Sequence, residues 1–309
     1  MVCRFKIEIL SFILMWPVFG LLLADTVPNI RDGRAVRIRD GCERLNSFQD
    51  NDVQRNARLL RQAADLCLSR RVLSENGLTW TFTIISNKAH KSGPTIFLLH
   101  DNENTAFDAA LYGVRKYGGK LVAVESGEHR KLQQVQDPNR NFGMTAEQTS
   151  SCGLMREKPA AGFTELLLDL QGRDAGFFLT LHNNADGYYL GGNRGGVRLA
   201  RRTSLIYGML LPMIDDPDDA ILLAGQQYLF ENKTASKAAD YFRKSGINVI
   251  YERIIPRKND CSFSNFVVLN GLGTYYNIEA QHGHLTRQKQ MLDALMRYNN
   301  ISPYVDDIK

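Results

Sequence analysis

Residues 94–103 have the sequence PTIFLLHDNE, in which a continuous apolar run is followed directly by a histidine and two carboxylates. A short apolar run without alternation is typical of a strand that is buried on both faces of a parallel sheet. Residues 104–117 follow with helical spacing, and residues 120–125 (KLVAVE) are apolar again, which predicts a strand–helix–strand unit. We therefore expect an α/β fold, with a mixed, largely parallel twisted sheet and helices on both faces.

The rest of the chain divides into three predicted parts. Residues 1–24 have the pattern of an export signal, residues 25–77 are expected to form a helical N-terminal lead, and residues 78–309 form one large domain. The lead is predicted to be helical because apolar residues recur every three or four positions between 43 and 72. In addition, we expect strands at 79–86, 166–170, 177–181, 220–223, 249–251, 266–269 and 274–278, and helices at 204–211, 235–244 and 286–299.

The composition excludes several classes of protein. The chain has 309 residues, of which 44% are hydrophobic and 23% are charged, so it is neither collagen-like nor disordered. Its 38 basic residues against 33 acidic residues give a formal net charge of +5. A surface that binds nucleic acid carries clustered positive charge, and so small an excess of basic residues does not indicate one. No nucleic-acid partner is therefore expected.

The N-terminus indicates export. Arg4 and Lys6 precede an apolar run that ends at Ala24, which is the pattern of a secretory signal peptide. A retained membrane anchor is the alternative. No later stretch reaches about 18 consecutive apolar residues, so we expect no stable membrane insertion once the signal is cleaved. The predicted location is therefore secreted or periplasmic.

The cysteines support the same location. Cys42, Cys67, Cys152 and Cys261 follow the signal, and an even number of cysteines in an exported chain predicts two disulfides. Three pairings are open, of which we favour Cys42 with Cys67 and Cys152 with Cys261; free buried thiols are the alternative. No two of these residues have the short spacing of a cysteine zinc cluster.

Polar side chains stand at the ends of two predicted strands. His100 and Glu103 follow the strand at 95–99, and His182 ends the strand in FFLTLHNN. In open α/β sheets, ligands bind beyond the carboxyl ends of the strands. Two histidines and one carboxylate, with a fourth position left for water, form the ligand set of a catalytic zinc site.

Two further motifs carry a resemblance to a known family. DPNRNF at 137–142 lies between Glu103 and His182, and Glu279 ends a strand in YYNIEAQHG. The order H-x-x-E, D-x-N-R-N-F, a lone histidine and a strand-terminal glutamate resembles the zinc metallocarboxypeptidase family over residues 78–299. The short spacing from Glu103 to His182 resembles compact bacterial members and the related succinylglutamate desuccinylase and aspartoacylase branch.

This resemblance implies a role for each motif. It implies that His100, Glu103 and His182 bind one Zn²⁺ ion per chain. It also implies that Asn139 and Arg140 hold the terminal carboxylate of the substrate. An arginine suits this role because its guanidinium group pairs with a carboxylate through two parallel hydrogen bonds.

Two further roles in the reaction are those of the general base and of the arginine that polarises the substrate carbonyl. The resemblance assigns a residue to the first role and only a candidate to the second. It implies that Glu279 is the general base, which takes a proton from water and passes it to the leaving amine. The arginine that polarises the scissile carbonyl has Arg130 as its candidate. The tyrosine that caps the substrate in digestive members has no assigned match in this sequence.

The resemblance implies that residues 78–309 form a catalytic domain with zinc metallopeptidase activity, and the predicted signal peptide adds the expectation that the enzyme is exported. The expected activity is hydrolysis of the C-terminal amide bond of short peptides with a free C-terminal carboxylate, with muropeptides (peptidoglycan stem peptides) as candidate substrates. One alternative is a zinc-dependent deacylase of acylamino acids. The other is a non-catalytic protein that binds peptide termini.

Overall fold

The computed structural model describes residues 29–31, 34–38, 41–150, 152, 159–172, 176–187, 197–199, 202–206, 209–213 and 218–304. The predicted signal peptide at 1–24 lies outside these residues. Among the described residues, no helix is both long enough and apolar enough to cross a membrane.

Strands and helices alternate along most of the described chain. The strands are β1 (Asn29–Arg31), β2 (Arg34–Ile38), β3 (Leu66–Glu75), β4 (Leu78–Asn87), β5 (Thr95–Leu98), β6 (Lys120–Glu125), β7 (Phe177–Asn184), β8 (Val197–Leu199), β9 (Arg202–Ile206), β10 (Met209–Met213), β11 (Ala220–Gly225), β12 (Asn248–Arg253) and β13 (Thr274–Gln281). The helices are α1 (Asn51–Arg55), α2 (Ala57–Gln62), α3 (Asn104–Tyr117), α4 (Ala146–Thr149), α5 (Ala161–Gln171), α6 (Lys233–Lys244), α7 (Phe263–Leu269) and α8 (Leu285–Tyr298). Short 3-10 turns lie at Leu45–Ser47, Pro138–Arg140 and Pro256–Lys258.

A mixed sheet of eleven strands forms the centre of the fold, in the order β1-β2-β3-β4-β6-β5-β7-β13-β11-β12-β8. At its centre, β6, β5, β7 and β13 run parallel to one another. β11 and β12 are parallel to each other and antiparallel to β13, and each strand from β4 to β1 is antiparallel to its neighbour. β9 and β10 form a separate antiparallel pair. The predicted α/β fold with a mixed sheet is confirmed, and its parallel part lies in the middle.

Apolar side chains cover both faces of the sheet, because alternate residues of a strand point to opposite sides. On one face, Ile96 and Leu98 of β5 belong to a cluster with helices α3 and α8. On the other face, Phe97 contacts Phe263 of α7 edge to face, with ring centroids 5.2 Å apart, and α5 packs in the same cluster. The predicted helices on both faces are therefore present.

The N-terminal lead is only partly helical, which corrects the prediction for residues 25–77. Helices α1 and α2 end at Gln62, and Leu66–Glu75 is the strand β3. β3 pairs with β4 along its whole length, so it belongs to the main sheet. This pairing buries Leu68 and Leu73, and such burial overrides a weak local preference for helix.

Three other predicted elements have the opposite type. Residues 166–170 and 266–269 lie in helices α5 and α7 rather than in strands. A helix was predicted at 204–211, and of these residues the structure describes 204–206 and 209–211, which lie in the strands β9 and β10. Short apolar runs are compatible with either a strand or a helix, so the secondary structure that forms depends on the segments that contact them. For α5, one such contact comes from Glu75, which is remote in sequence. The Glu75 carboxylate accepts hydrogen bonds of 2.8 and 3.1 Å from two backbone N–H groups in the first turn of α5.

Two disulfide bonds link the described chain, and both join the favoured partners. Cys42 is bonded to Cys67, 25 residues away, and Cys152 is bonded to Cys261, 109 residues away. The second bond attaches the loop before α7 to the segment that follows α4. Disulfides form and persist in oxidising compartments, such as the periplasm or the extracellular space.

We expect loss of the Cys152–Cys261 bond to destabilise the protein more than loss of the Cys42–Cys67 bond. Closing a loop of about 110 residues stabilises a fold by about 5 kcal/mol, and closing a loop of about 25 residues by about 3.5 kcal/mol. The double variants Cys152→Ala/Cys261→Ala and Cys42→Ala/Cys67→Ala, unfolded in urea, measure the two free energies of unfolding. A larger loss from the Cys42–Cys67 pair would contradict this order.

Candidate metal centre and its cleft

Two histidines and two glutamates meet at one edge of the central parallel strands. His100 and Glu103 follow β5, His182 lies near the end of β7, and Glu279 lies near the end of β13. Because β5, β7 and β13 are parallel neighbours, their carboxyl ends open on the same edge of the sheet. Glu279 is the direct register partner of His182.

His100, Glu103 and His182 form a compact group of buried side chains. Nδ1 of His100 lies 2.9 Å from Oε1 of Glu103, and Nδ1 of His182 lies 2.8 Å from Oε2 of the same carboxylate. The two Nδ1 atoms are 3.1 Å apart. Each residue therefore offers one ligand atom to a single metal ion, and the three ligand atoms lie within 4.8 Å of one another.

Asp137 determines which nitrogen of His100 carries the proton. Its Oδ1 lies 2.9 Å from Nε2 of His100, and an ionised carboxylate only accepts hydrogen bonds, so Nε2 is the donor. In the neutral ring the lone pair then lies on Nδ1, the atom that faces Glu103 and His182. Such a carboxylate behind a ligating histidine is common in metal sites. The sequence assigned Asp137 no role, although its position at the start of the D-x-N-R-N-F motif was an available signal.

The charges in this group also suit a bound cation. Burial alone would raise the pKa of Glu103, but His182 and His100 hold that pKa well below its usual range. Burial opposes a charged His100 ring, yet Glu103 and Asp137 raise its pKa. An ionised carboxylate beside two imidazole nitrogens is a donor set that fits one divalent ion, and zinc commonly takes it.

Asp101 holds the loop that carries the first two candidate ligands. Its Oδ2 accepts a hydrogen bond of 2.7 Å from the backbone N–H of Ser126 and one of 2.9 Å from that of Glu128. These bonds tie the turn after β5 to the turn after β6. The loop His100–Glu103 is therefore fixed by its own second residue before any metal binds.

A second group of carboxylates lies behind this loop. Asp50, Asp101 and Glu125 each offer an oxygen within 4.8 Å of the other two. Burial and the neighbouring Asp50 raise the pKa of Glu125 well above its usual value. A retained proton therefore accounts for this cluster without a cation.

Glu279 is half-buried beside the candidate ligands. Nδ2 of Asn277 donates to its Oε1 at 2.9 Å, and Nδ2 of Asn184 donates to its Oε2 at 3.4 Å. Burial raises the pKa of Glu279, while the nearby His182 acts in the opposite sense. Two amide groups thus hold this carboxylate in the cleft next to a candidate ligand.

The D-x-N-R-N-F motif forms the 3-10 turn Pro138–Arg140, which brings Asn139 and Arg140 to the same cleft. Oδ1 of Asn139 accepts a hydrogen bond of 3.1 Å from the backbone N–H of Phe263. Nε of Arg140 lies 3.3 Å from Oδ2 of Asp260. Both side chains are therefore oriented by the start of α7 and by the loop that precedes it.

Arg130 lies directly beside the candidate ligands. Its Nη1 is 3.4 Å from Oε1 of Glu103, and its Nε is 3.6 Å from Oδ2 of Asp137. Half of its side chain is exposed, whereas the side chain of Glu103 is 3% exposed. The guanidinium therefore lies at the mouth of the site, in contact with the carboxylate that would bind the metal.

All of the predicted site residues border one cleft of about 680 Å³. The structure thus brings them together, while their chemical roles remain predictions. The same cleft is lined by Glu252 and Asp260, which no sequence motif indicated, and by His282. His284 lies outside its lining, with Nδ1 3.4 Å from Oδ2 of Asp219.

Comparison with known proteins gives little further information. No protein family and no curated protein matches the chain. A solved structure of a provisionally assigned metallopeptidase from Shewanella denitrificans OS217 has a TM-score of 0.42 and 17% identity, over 85% of this chain and 95% of that one. An esterase mutant in complex with (S)-Ac-CPA has a TM-score of 0.20 and 11% identity, over 49% of this chain and 56% of that one. Likenesses this weak identify neither a family nor an activity for this chain.

Asp137→Asn is expected to weaken zinc binding by about 10- to 100-fold, because an amide no longer fixes the tautomer of His100. Competition with a chromophoric chelator measures the zinc affinity of the purified protein. Asp169→Asn, which changes an exposed acid on α5, is the matched control and should bind zinc as the wild type does. Equal affinity of Asp137→Asn and the wild type would remove Asp137 from the metal site.

Proposed function

We propose that the protein is an exported zinc-dependent carboxypeptidase that hydrolyses the C-terminal amide bond of short peptides. One observation carries this proposal: His100, Glu103 and His182, which could hold one metal ion, converge in the cleft that also holds Glu279 and Arg140. The ligands and a carboxylate base would serve any metal-dependent hydrolase. The arginine adds a group suited to a terminal carboxylate.

Zinc is the metal that we propose for the three ligands. Catalytic zinc sites commonly use three protein ligands from histidine and glutamate and keep an open position for water. When bound, the ion would supply the Lewis acidity that activates water and polarises the substrate carbonyl. We expect one zinc ion per chain.

Glu279 would act first as general base and then as general acid. Its carboxylate lies beside His182 and is held by the side-chain amides of Asn277 and Asn184. It would take a proton from the attacking water and deliver that proton to the nitrogen of the leaving amine. General acid–base catalysis typically accelerates a reaction by about 10²- to 10⁴-fold.

Arg140 and Asn139 would hold the C-terminal carboxylate of the substrate. A guanidinium pairs with a carboxylate through two parallel hydrogen bonds, which an ammonium group cannot reproduce. The bond from the Phe263 backbone to Oδ1 of Asn139 fixes the orientation of that amide. Arg130, next to Glu103, would polarise the scissile carbonyl.

The proposed location outside the cytosol limits the range of candidate substrates. The two disulfides support an oxidising compartment, and the predicted signal peptide agrees with export. In a bacterial host, the peptides with a free C-terminal carboxylate in that compartment include the stem peptides of peptidoglycan. Muropeptides are therefore the natural peptide substrates that we propose to test first.

Glu279→Gln should reduce turnover by at least about 100-fold while zinc stays bound, because the amide cannot accept the proton. The assay incubates zinc-loaded protein with a pool of peptides, muropeptides and acylamino acids, and identifies the products by mass spectrometry. Elemental analysis of the same samples measures zinc per chain. Retained turnover would remove Glu279 as the base. Products from acylamino acids alone would favour a deacylase, and a zinc-free protein would favour a peptide-binding module.

Arg140→Ala should reduce the hydrolysis of peptides with a free C-terminal carboxylate by about 10- to 100-fold, because hydrogen bonds to a charged group are lost. Activity on the C-terminally amidated analogues should change much less. The matched control is Arg257→Ala, which removes an exposed arginine from the turn Pro256–Lys258. Equal losses on both forms of the substrate would contradict the assignment of Arg140.

A further inference from the structure

A second cavity lies at the edge of the sheet opposite the candidate metal centre. Its volume is about 810 Å³, which is within the range of small-molecule sites. The first residues of three central strands line it: Thr95 of β5, Lys120 of β6 and Phe177 of β7. These strands are parallel, so their amino ends open away from the carboxyl ends that carry His100 and His182. The two cavities are therefore separate.

The wall of this second cavity is positively charged. Among the described residues that line it there are three lysines, Lys88, Lys91 and Lys120, and no acid. Within the part of the chain that the structure describes, none of these lysines forms an ion pair. Positive charges that line one cavity without counter-charges create a potential that attracts anions.

Lys120 shows most clearly that a counter-charge is missing. It is partly buried, whereas Lys88 and Lys91 are exposed. Burial lowers the pKa of Lys120, and the nearby Arg71 acts in the same sense, with no described acid to oppose them. A lysine that is partly removed from water is normally stabilised by a paired anion. A negatively charged ligand would supply that partner.

The loop that carries Lys88 and Lys91 is fixed before any ligand binds. Oδ1 of Asn87 accepts hydrogen bonds of 3.0 and 2.9 Å from two backbone N–H groups of this loop. The backbone N–H of Gly119 donates to the carbonyl oxygen of His90 at 2.8 Å, which ties the loop to the turn before β6. A loop that is already ordered loses less conformational entropy when a ligand binds.

Gln171 adds a neutral hydrogen-bonding group to the same cavity. It lies at the end of α5 and is 5% exposed. Its Nε2 donates a hydrogen bond of 2.7 Å to the backbone carbonyl of Phe177, which fixes the orientation of the amide. Its Oε1 is buried and has no hydrogen-bond partner among the described residues. Since a buried acceptor without a donor is costly, a ligand hydroxyl that reaches Oε1 would be stabilised there.

We propose that this second cavity binds a phosphate ester whose organic part carries hydroxyl groups, the chemistry of a sugar phosphate. A phosphate group offers three acceptor oxygens and close to two negative charges, which suits three ammonium groups. Lysine binds phosphate as a point charge, so no fixed planar geometry is required. Oε1 of Gln171 would accept a hydrogen bond from a hydroxyl group of the ligand. The inference is independent of the proposed carboxypeptidase activity, because no residue assigned to that activity lines this cavity.

Calorimetric titration of the purified protein with glucose 6-phosphate tests the inference, with glucose and inorganic phosphate as comparison ligands. The wild type should bind glucose 6-phosphate at least about 10-fold more tightly than either, because each lacks one of the two recognised groups. Lys120→Gln should weaken binding by about 10- to 100-fold, and so should Lys88→Gln/Lys91→Gln, which changes only exposed side chains. Lys237→Gln, which changes an exposed lysine on α6, is the matched control and should bind as the wild type does.

A wild-type protein that does not bind glucose 6-phosphate at millimolar concentration would overturn the inference. Binding that is unchanged in both lysine variants would overturn it as well, and a loss in Arg140→Ala would then locate the phosphate in the cleft of the candidate metal centre. Equal affinity for inorganic phosphate and glucose 6-phosphate would overturn the part assigned to Gln171. Binding that the lysine variants weaken and Arg140→Ala retains supports the inference, whether or not the protein hydrolyses peptides.

Discussion

The candidate site depends on one constraint, the parallel pairing of β5, β7 and β13. This pairing brings His100, which follows β5, next to His182 on β7, and it places Glu279 of β13 in register with His182. A slip of one residue in that register would turn Glu279 to the opposite face of the sheet. The buried apolar strands therefore determine how far apart the site side chains lie. Hydrogen bonds from the following loops then orient these side chains: Asp137 bonds to the His100 ring, and Asp101 holds the loop that carries His100 and Glu103.

Much of the site could be predicted because its signals are local. A buried strand that ends at a histidine is visible in the run before His100, and carboxyl strand ends meet at one edge of a parallel sheet. The order of short motifs then indicated Glu103, His182 and Glu279, and the structure brings them to one cleft. The favoured cysteine pairing also agrees with the structure.

The remaining features depend on partners that are distant in sequence. Leu66–Glu75 has a pattern that also fits a helix, and only the edge of β4 makes it a strand. Helix α5 begins where Glu75 caps it, which no local pattern shows. Glu252 and Asp260 meet Arg140 because a strand, a loop and a turn come together, and the sequence carries no motif for that arrangement.

We propose that His100, Glu103 and His182 bind one zinc ion. The X-ray absorption spectrum of the zinc-loaded protein tests this claim, because it counts the ligand types around the metal. We expect two imidazole nitrogens at about 2.0–2.1 Å together with oxygen ligands, and one imidazole fewer in His182→Ala. A protein that takes up no stoichiometric zinc, or a spectrum that is the same in His182→Ala, would contradict the claim.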